Sequence, residues 1–293
     1  MKKFFISSRP KQILKNTVLF IPLFFTLNSW INLDINKIQV LFINSFFAFL
    51  VFICCSIIGY QINDLIDKNY DKKHEIKKNR PIANGEINKI EIFFFISILF
   101  ILGILFSIIV NKNIFLLFLV YIFISIIYSK FLKNIIILDV ITITFFYIIR
   151  MIAGTFAIGY EVSIWLFILT FFVALFIIII KRIRESQKGS IFRNKNISKY
   201  YTKPIFLKII FFLYITNIIV YFIYSISEIL SAQRNLLFII SSLFFALGIS
   251  RYYFIVQRKK VGDFPEEIII KDFYIMMFII LFILSLFISK ILN

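Results

Sequence analysis

Histidine is all but missing from this chain: His74 is the single one among 293 residues. That excludes metal sites built on several imidazoles. A Ser-His-Asp triad has no suitable base either, because His74 stands among charges in a polar stretch. Cysteine is scarce as well. Cys54 and Cys55 are adjacent within an apolar run, cannot form an ordinary bridge with each other, and read as packing residues. Five prolines and eight glycines leave few places where a helix must break. Acids number 15 against 33 Lys and Arg, a net charge of +18. No linker, internal repeat or low-complexity tail divides the sequence, so a single domain over 1–293 is expected.

Apolar residues are what the chain has in excess. They make up 61% of it, and the mean hydropathy is +0.94. These values describe a polytopic membrane protein rather than a soluble domain with a large core. A spanning helix needs about 20 mostly apolar residues. Nine such stretches are legible, at 16–33, 40–62, 91–110, 114–130, 138–158, 162–181, 205–227, 235–256 and 273–290. The expected fold is therefore an all-α integral membrane bundle of nine transmembrane helices. Lys2 and Lys3 resemble the start of a signal peptide, but no small-residue cleavage site follows them.

Counted by side of the membrane, with Lys130, Lys181, Arg251 and Lys290 at span ends assigned to the face they adjoin, one face has 27 Lys and Arg and the other has 4, and Arg150 and Lys208 stay inside spans. The positive-inside rule then puts the N-terminus in the cytoplasm and the C-terminus outside, in the cytoplasmic (inner) membrane. Most of the positive charge is accounted for by topology and by anionic headgroups. Nucleic acid is excluded as a partner, since no soluble domain is left to hold it. The longer connections, about 63–90, 182–204 and 257–272, all fall on the cytoplasmic side and carry nearly all the residues capable of chemistry.

The richest of these is the polar run at the end of the second apolar stretch. Asp64, Asp67 and Asp71 lie at i, i+3 and i+7, which places them on one face of a helix. Three carboxylates so close repel one another unless a cation intervenes. Their hard oxygens, with Asn63 beside them, suit Mg²⁺, which keeps part of its water shell and binds substrate phosphates. Lys77 and Arg80, just downstream, are phosphate-binding types. Pro81 and the pair Asn84-Gly85 predict a turn after them. Where the sixth span ends, Lys181 and Arg182 form a second basic group, and Lys181 and Glu185 are spaced to pair. This group reads as a phosphate clamp or as a positive-inside anchor.

Asp139 and Arg150 are close to three turns apart within one span and face the same way. A buried arginine in lipid is expensive and turns toward the bundle interior, as a structural ion pair or toward a substrate. Lys11 and Lys15, beside Arg9-Pro10, read as snorkelling anchors or as phosphate ligands. Tyr128, Ser129, Lys130 and Lys133 carry the same ambiguity at the end of the fourth span. Arg251 with Glu266 and Glu267 is expected to form a salt-bridged loop.

Several of these stretches together resemble a known family. The run Asn63, Asp64, Asp67, Asp71 followed by Lys77, Arg80 and Pro81 resembles the first signature of the UbiA-type intramembrane prenyltransferase superfamily. Within it, the chain is similar to the decaprenyl-phosphate phosphoribosyltransferase branch. The matching stretches are Arg9-Pro10-Lys11-Gln12 with Lys15-Asn16, Arg80-Pro81 with Gly85, Tyr128-Ser129 with Lys133 and Asp139, Arg150 with Ala153-Gly154, Lys181-Arg182 with Glu185, and Arg251-Tyr252 with Pro265 to Glu267. The resemblance implies a UbiA-like bundle with a cavity facing the cytoplasm. It also implies Mg²⁺-dependent transfer of the 5-phosphoribosyl group of 5-phosphoribosyl 1-diphosphate (PRPP) to a polyprenyl phosphate such as decaprenyl phosphate, with release of diphosphate.

On that resemblance Asn63, Asp64 and Asp67 hold the metal with Asp71 assisting, and Asp64, Asp67, Lys77 and Arg80 carry the catalysis. Substrate falls to Lys15, Tyr60, Asn63, Lys77, Arg80, Tyr128, Lys133, Arg150, Lys181 and Arg182. One departure is His74-Glu75, where the branch pattern has His-Pro. A second reading is prenyl transfer from a prenyl diphosphate to an aromatic acceptor. Against it, residues 182–204 contain one acid, Glu185, where the wider family pattern has a second aspartate-rich motif. A transporter is the reading from another class, and it fits poorly with acids at a helix end and so little proline within spans. Prenyl chain length and oligomeric state, a homo-oligomer included, are not encoded in any of these residues.

Overall fold

A long apolar segment can enter a bilayer only with its backbone N–H and C=O groups paired, and a helix does this within the segment itself. The computed structural model of this chain describes residues 2–73, 77–187, 200–231, 234–259, 262 and 264–291. Among them are eight helices long and apolar enough to cross a membrane. They are α1 (Ile35–Asp71), α2 (Lys89–Val110), α3 (Lys112–Lys130), α4 (Ile136–Ala157), α5 (Ile164–Gln187), α6 (Pro204–Leu230), α7 (Ile239–Lys259) and α8 (Phe273–Ile291). Each matches an expected span to within a few residues at most boundaries. The exception is α1, which continues without interruption through Asp71.

The expected first span, 16–33, is not one helix. It is divided into a 3₁₀ segment (Leu14–Phe20) and short helices Ile21–Phe25 and Leu27–Trp30. Pro22 removes a backbone donor, and the Thr26 hydroxyl donates to the Pro22 carbonyl at 2.8 Å, so side chains compete with the helical ladder here.

The chain forms two compact units. The first comprises Met1–Ile21 and Ile35–Glu161, the second Pro22–Asp34 and Val162–Asn293. In the first, α1 packs against α2, α3 and α4, and α4 packs on the 3₁₀ segment. Its core holds Val51, Phe52, Phe118, Tyr121, Phe146 and Ala153. Gly103 lets α2 approach α3 closely, since a Cβ there would meet the Phe118 ring at 2.3 Å. The start of α2 is fixed by a capping box. The Asn88 side chain accepts from the Glu91 N–H at 2.8 Å, and Glu91 accepts from the Asn88 N–H at 2.9 Å. Lys3 adds an ion pair to Glu91 at 2.8 Å. In the second unit α5, α6, α7 and α8 pack in sequence, around Tyr221, Tyr224, Phe238 and Leu286.

Candidate active site

The site begins where α1 ends. At about 1.5 Å per residue its 37 residues span roughly 55 Å, against a hydrocarbon core of about 30 Å. Its last polar turns therefore extend past the apolar layer. In them the three aspartates do not converge as a single tripod. Among the described residues no three His, Cys, Asp or Glu side chains form a metal-binding group. They divide into two sets instead. Asp64 and Asp71 meet through Arg80, whose Nη1 lies 2.9 Å from Asp64 Oδ1 and 2.6 Å from Asp71 Oδ2. Asp67 and Asn63 meet through Lys133, whose Nζ donates to Asp67 Oδ2 at 2.8 Å and to Asn63 Oδ1 at 2.9 Å. Spacings of seven and of four both return to one stripe of a helix, but each pair takes a different cation.

Arg80 reaches the aspartates because the loop carrying it is tied down. Arg80 N–H bonds the Lys77 carbonyl at 3.0 Å, Asn84 N–H the Arg80 carbonyl at 2.9 Å, and Ile87 N–H the Pro81 carbonyl at 3.1 Å. Ile82 and Ile87 are buried against Ile92, with Leu65 of α1 and Phe4 alongside. Gly85 turns the chain at φ +88°, a conformation that favours glycine. Lys77 stands half-buried at the head of this loop. His74 and Glu75 lie outside the described residues.

A cation that was not among the expected site residues completes the cluster. Arg9 Nη2 bonds Asp64 Oδ1, and its guanidinium lies 4.9 Å from the centre of the Tyr60 ring. Arg9 has φ +51°, the one non-glycine residue at positive φ among those described. That conformation costs an L-residue about 1–2 kcal/mol, and the contacts to Asp64 and Tyr60 hold it in place. Arg9-Pro10 marked a helix boundary in the sequence, but proline favours an extended residue before it, not the left-handed one that Arg9 adopts. Burial acts to lower the Arg9 pKa, but Asp64, Tyr60 and Asp71 together outweigh it and the net shift is upward. Arg80 moves down, through burial and then through its neighbour Arg9. Lys133 is pushed down to about 8 by burial, against the pull of Asp71, Asp64 and Asp139.

The other expected residues fall around or away from this cluster. Lys15 lies half-buried in the 3₁₀ segment. Tyr128 donates its hydroxyl to buried Asp139 at 2.9 Å, which ties α3 to α4 near Lys133. Arg150 serves a separate network. It is 3% exposed and donates to Asn16 at 2.6 Å, to the Phe146 carbonyl at 2.8 Å, to the Tyr121 hydroxyl at 2.7 Å and to Ser56 at 3.1 Å. An ion pair, one of the two roles expected of it, is not what holds it, and Asp139 is out of reach. Eleven residues at about 1.5 Å each put the two some 16 Å apart along α4, and neutral acceptors take the guanidinium.

In the second unit, Lys181 and Arg182 stand at the end of α5. Arg182 pairs with Glu185 at 2.5 Å, closer than Lys181 at 3.7 Å. Arg184 bonds Gln187 at 2.7 Å and the Val256 carbonyl at 2.8 Å. Arg251 pairs with Asp272 at 2.9 Å, and Glu267 with Lys271 at 2.8 Å. The salt bridge expected between Arg251 and Glu266-Glu267 is thus replaced by one to Asp272, which also accepts from the Ile275 N–H at 3.1 Å at the start of α8.

The sequence profile of the UbiA prenyltransferase family matches residues 17–263. The chain belongs to the UbiA prenyltransferase family. The fold agrees with that membership. A UbiA homolog from Archaeoglobus fulgidus, solved bound to DMAPP and Mg²⁺, superposes with a TM-score of 0.72 at 18% identity, covering 99% of this chain and all of that one. The same homolog bound to GPP and Mg²⁺ gives 0.71. In sequence, the decaprenyl-phosphate phosphoribosyltransferase of Mycolicibacterium smegmatis is 27% identical over 276 residues, 90% of this chain and 85% of that one. The protein of the same name from Mycobacterium tuberculosis is 26% identical over 269 residues, 90% and 86% of the two chains. This UbiA family member thus has fold relatives that bind prenyl diphosphates and sequence relatives named for pentosyl transfer.

Proposed function

We propose that this protein is a Mg²⁺-dependent transferase acting on isoprenoid phosphates at the membrane surface. The reading rests on one observation: three carboxylates and Asn63 at the end of α1, interleaved with Arg9, Arg80 and Lys133. Such a mixture suits a metal–diphosphate complex, with acids for the metal and cations for the phosphate oxygens. The donor set fits Mg²⁺. It is all hard oxygen, and Asn63 Oδ1 and Asp67 Oδ2 already converge within 2.9 Å of one positively charged atom. Asn63, Asp64 and Asp67 would hold the ion, with Asp71 at the margin. When bound, Mg²⁺ neutralises charge on the departing diphosphate.

Within that class, the finer reading is transfer of the phosphoribosyl group of PRPP to a polyprenyl phosphate. The bond from ribose C1 to the diphosphate oxygen breaks, and diphosphate leaves with the electron pair. A new bond forms from C1 to an oxygen of the lipid phosphate. Arg9, Lys77, Arg80 and Lys133 hold phosphate oxygens, and Lys15 and Tyr60 line the approach. The incoming phosphate is already anionic at neutral pH, so the reaction requires no strong base, in keeping with a single histidine in the chain. The mycobacterial relatives and the solitary acid in 182–204 support this arm. The second reading, prenyl transfer from a prenyl diphosphate to an acceptor, is favoured by the prenyl diphosphates bound to the structural relatives. The count of positive charges supports a cytoplasmic site.

One assay separates the two. Purified protein receives Mg²⁺ with either labelled PRPP and a polyprenyl phosphate or a prenyl diphosphate and an aromatic acceptor, each with and without EDTA. Labelled lipid from PRPP, lost with EDTA, is the expected result. Consumption of the prenyl diphosphate alone selects the second reading, and EDTA-resistant turnover removes the metal from both.

A further inference from the structure

The aspartates at the end of α1 are not waiting for a cation; each is already matched by one. Arg9 and Arg80 pair with Asp64, Arg80 also with Asp71, and Lys133 with Asp67. Lys133 is placed to matter most. Its Nζ bridges the carboxylate of Asp67 and the carbonyl oxygen of Asn63, two of the oxygens assigned above to Mg²⁺. It is 11% exposed in its side chain, and it is carried on a short 3₁₀ turn, Leu132–Asn134, between α3 and α4 rather than on a rigid helix.

From this we infer that Lys133 is a stand-in cation that makes metal binding depend on diphosphate. The inference rests on the Mg²⁺ reading of the site. A bare Mg²⁺ held by these oxygens would add two positive charges and displace the Lys133 ammonium from two short hydrogen bonds with no new anion to receive it. Magnesium diphosphate brings that anion along. Lys133 then moves from Asp67 to a phosphate oxygen, so the positive charge is passed on rather than stranded. Binding of the two parts is coupled, and coupling is reciprocal: whatever factor diphosphate adds to the affinity for metal, metal adds to that for diphosphate. The consequence is that metal arrives with its substrate and departs with the diphosphate product. Lys133 is a positioning residue in this sense, acting through the metal's oxygen ligands as well as on phosphate.

The test is calorimetry on the full-length protein in detergent, titrated with Mg²⁺ alone and with preformed magnesium diphosphate. The wild type should bind Mg²⁺ alone at least about tenfold more weakly than magnesium diphosphate, within the usual range of coupling between ligands. Lys133→Met should tighten Mg²⁺ alone and weaken magnesium diphosphate, narrowing that ratio. Lys133→Arg, which keeps the charge, should preserve the ratio and serves as the control should the methionine variant fold poorly. Asp67→Asn should remove the Mg²⁺ heat, which assigns the binding to this site. If Mg²⁺ alone binds Lys133→Met no better than the wild type, the stand-in role is overturned while the metal site survives. If neither titrant binds any of the four proteins, the metal reading itself is overturned and the inference with it.

Discussion

The ends of α1 and α5 are a matched pair with opposite construction. Both are points where a long apolar helix passes into charge. At the end of α1 the pairs join residues far apart in sequence: Asp64 to Arg9 across 55 residues, Asp67 to Lys133 across 66. At the end of α5 Glu185 pairs locally, with Arg182 and Lys181 at i−3 and i−4. A local pair forms on any helix with that spacing and is worth a few tenths of a kcal/mol when exposed. A long-range set exists only because separate segments were brought to one place. Arg184, bound to the Val256 carbonyl at 2.8 Å, is a long-range contact at the α5 end, and it ties down backbone. On the function proposed above, the acids at the α1 end are the first place to test and the bases at the α5 end the second.

The largest effect should come from breaking the α1 cluster. Asp67→Ala should lower turnover by about a hundredfold or more, the scale of losing a key electrostatic contact. Lys133 keeps Asn63 as a partner but loses its counter-ion in a largely buried place, so the unfolding temperature in detergent should fall as well, and turnover is read per folded molecule. Near-normal turnover would mean that the acids at this end are structural and that the contrast with α5 has no catalytic content.

Next is Arg150, a third style of charge burial, with neutral acceptors around one cation. Arg150→Met would leave Asn16 and the Tyr121 and Ser56 hydroxyls short of a donor inside the first unit. The expected loss is about 2–4 kcal/mol of stability, read as a lower unfolding temperature in detergent. The surviving folded fraction should keep wild-type affinity for whichever diphosphate substrate the assay above identifies. A selective loss of that affinity would join Arg150 to the site after all.

Arg9 tests whether long-range pairing serves function or merely fold. Arg9→Gly removes the guanidinium from Asp64 and Tyr60 and also relieves an L-residue held at φ +51°. The relief, about 1 kcal/mol, should offset much of the lost pairing, while KM for the diphosphate substrate rises about tenfold. Arg9→Ala, which keeps the strain, should be the less stable of the two. If both variants bind substrate normally, Arg9 is a structural clasp.

How far the sequence foretold this can be seen residue by residue. Eight of the long helices follow from uninterrupted apolar runs, a signal that depends only on composition. The stretch 16–33 was expected as one continuous helix and is divided instead, because hydropathy does not register Pro22 and Thr26 acting on the backbone. The acids at 63–71 were legible from their spacing, and their division between Arg80 and Lys133 was not, since spacing gives the face of one helix and says nothing of what other segments deliver to it. Arg9 was overlooked for the same reason: its partner lies 55 residues away. Arg150 was recognised as buried, but its neutral partners come from three other segments.

The smallest effect expected is at the α5 end, and it decides whether that end participates at all. Glu185→Gln frees Arg182 and Lys181 from their local pairing without changing the shape of the side chain. If these cations grip a substrate phosphate, their release should lower KM for the lipid phosphate by about twofold to fivefold, matching a pair worth up to about 1 kcal/mol. If they are only a positive-inside anchor, KM stays fixed. The direction carries the argument: removing a carboxylate from the α1 end should abolish work that depends on acids, whereas removing one from the α5 end should improve work that depends on bases.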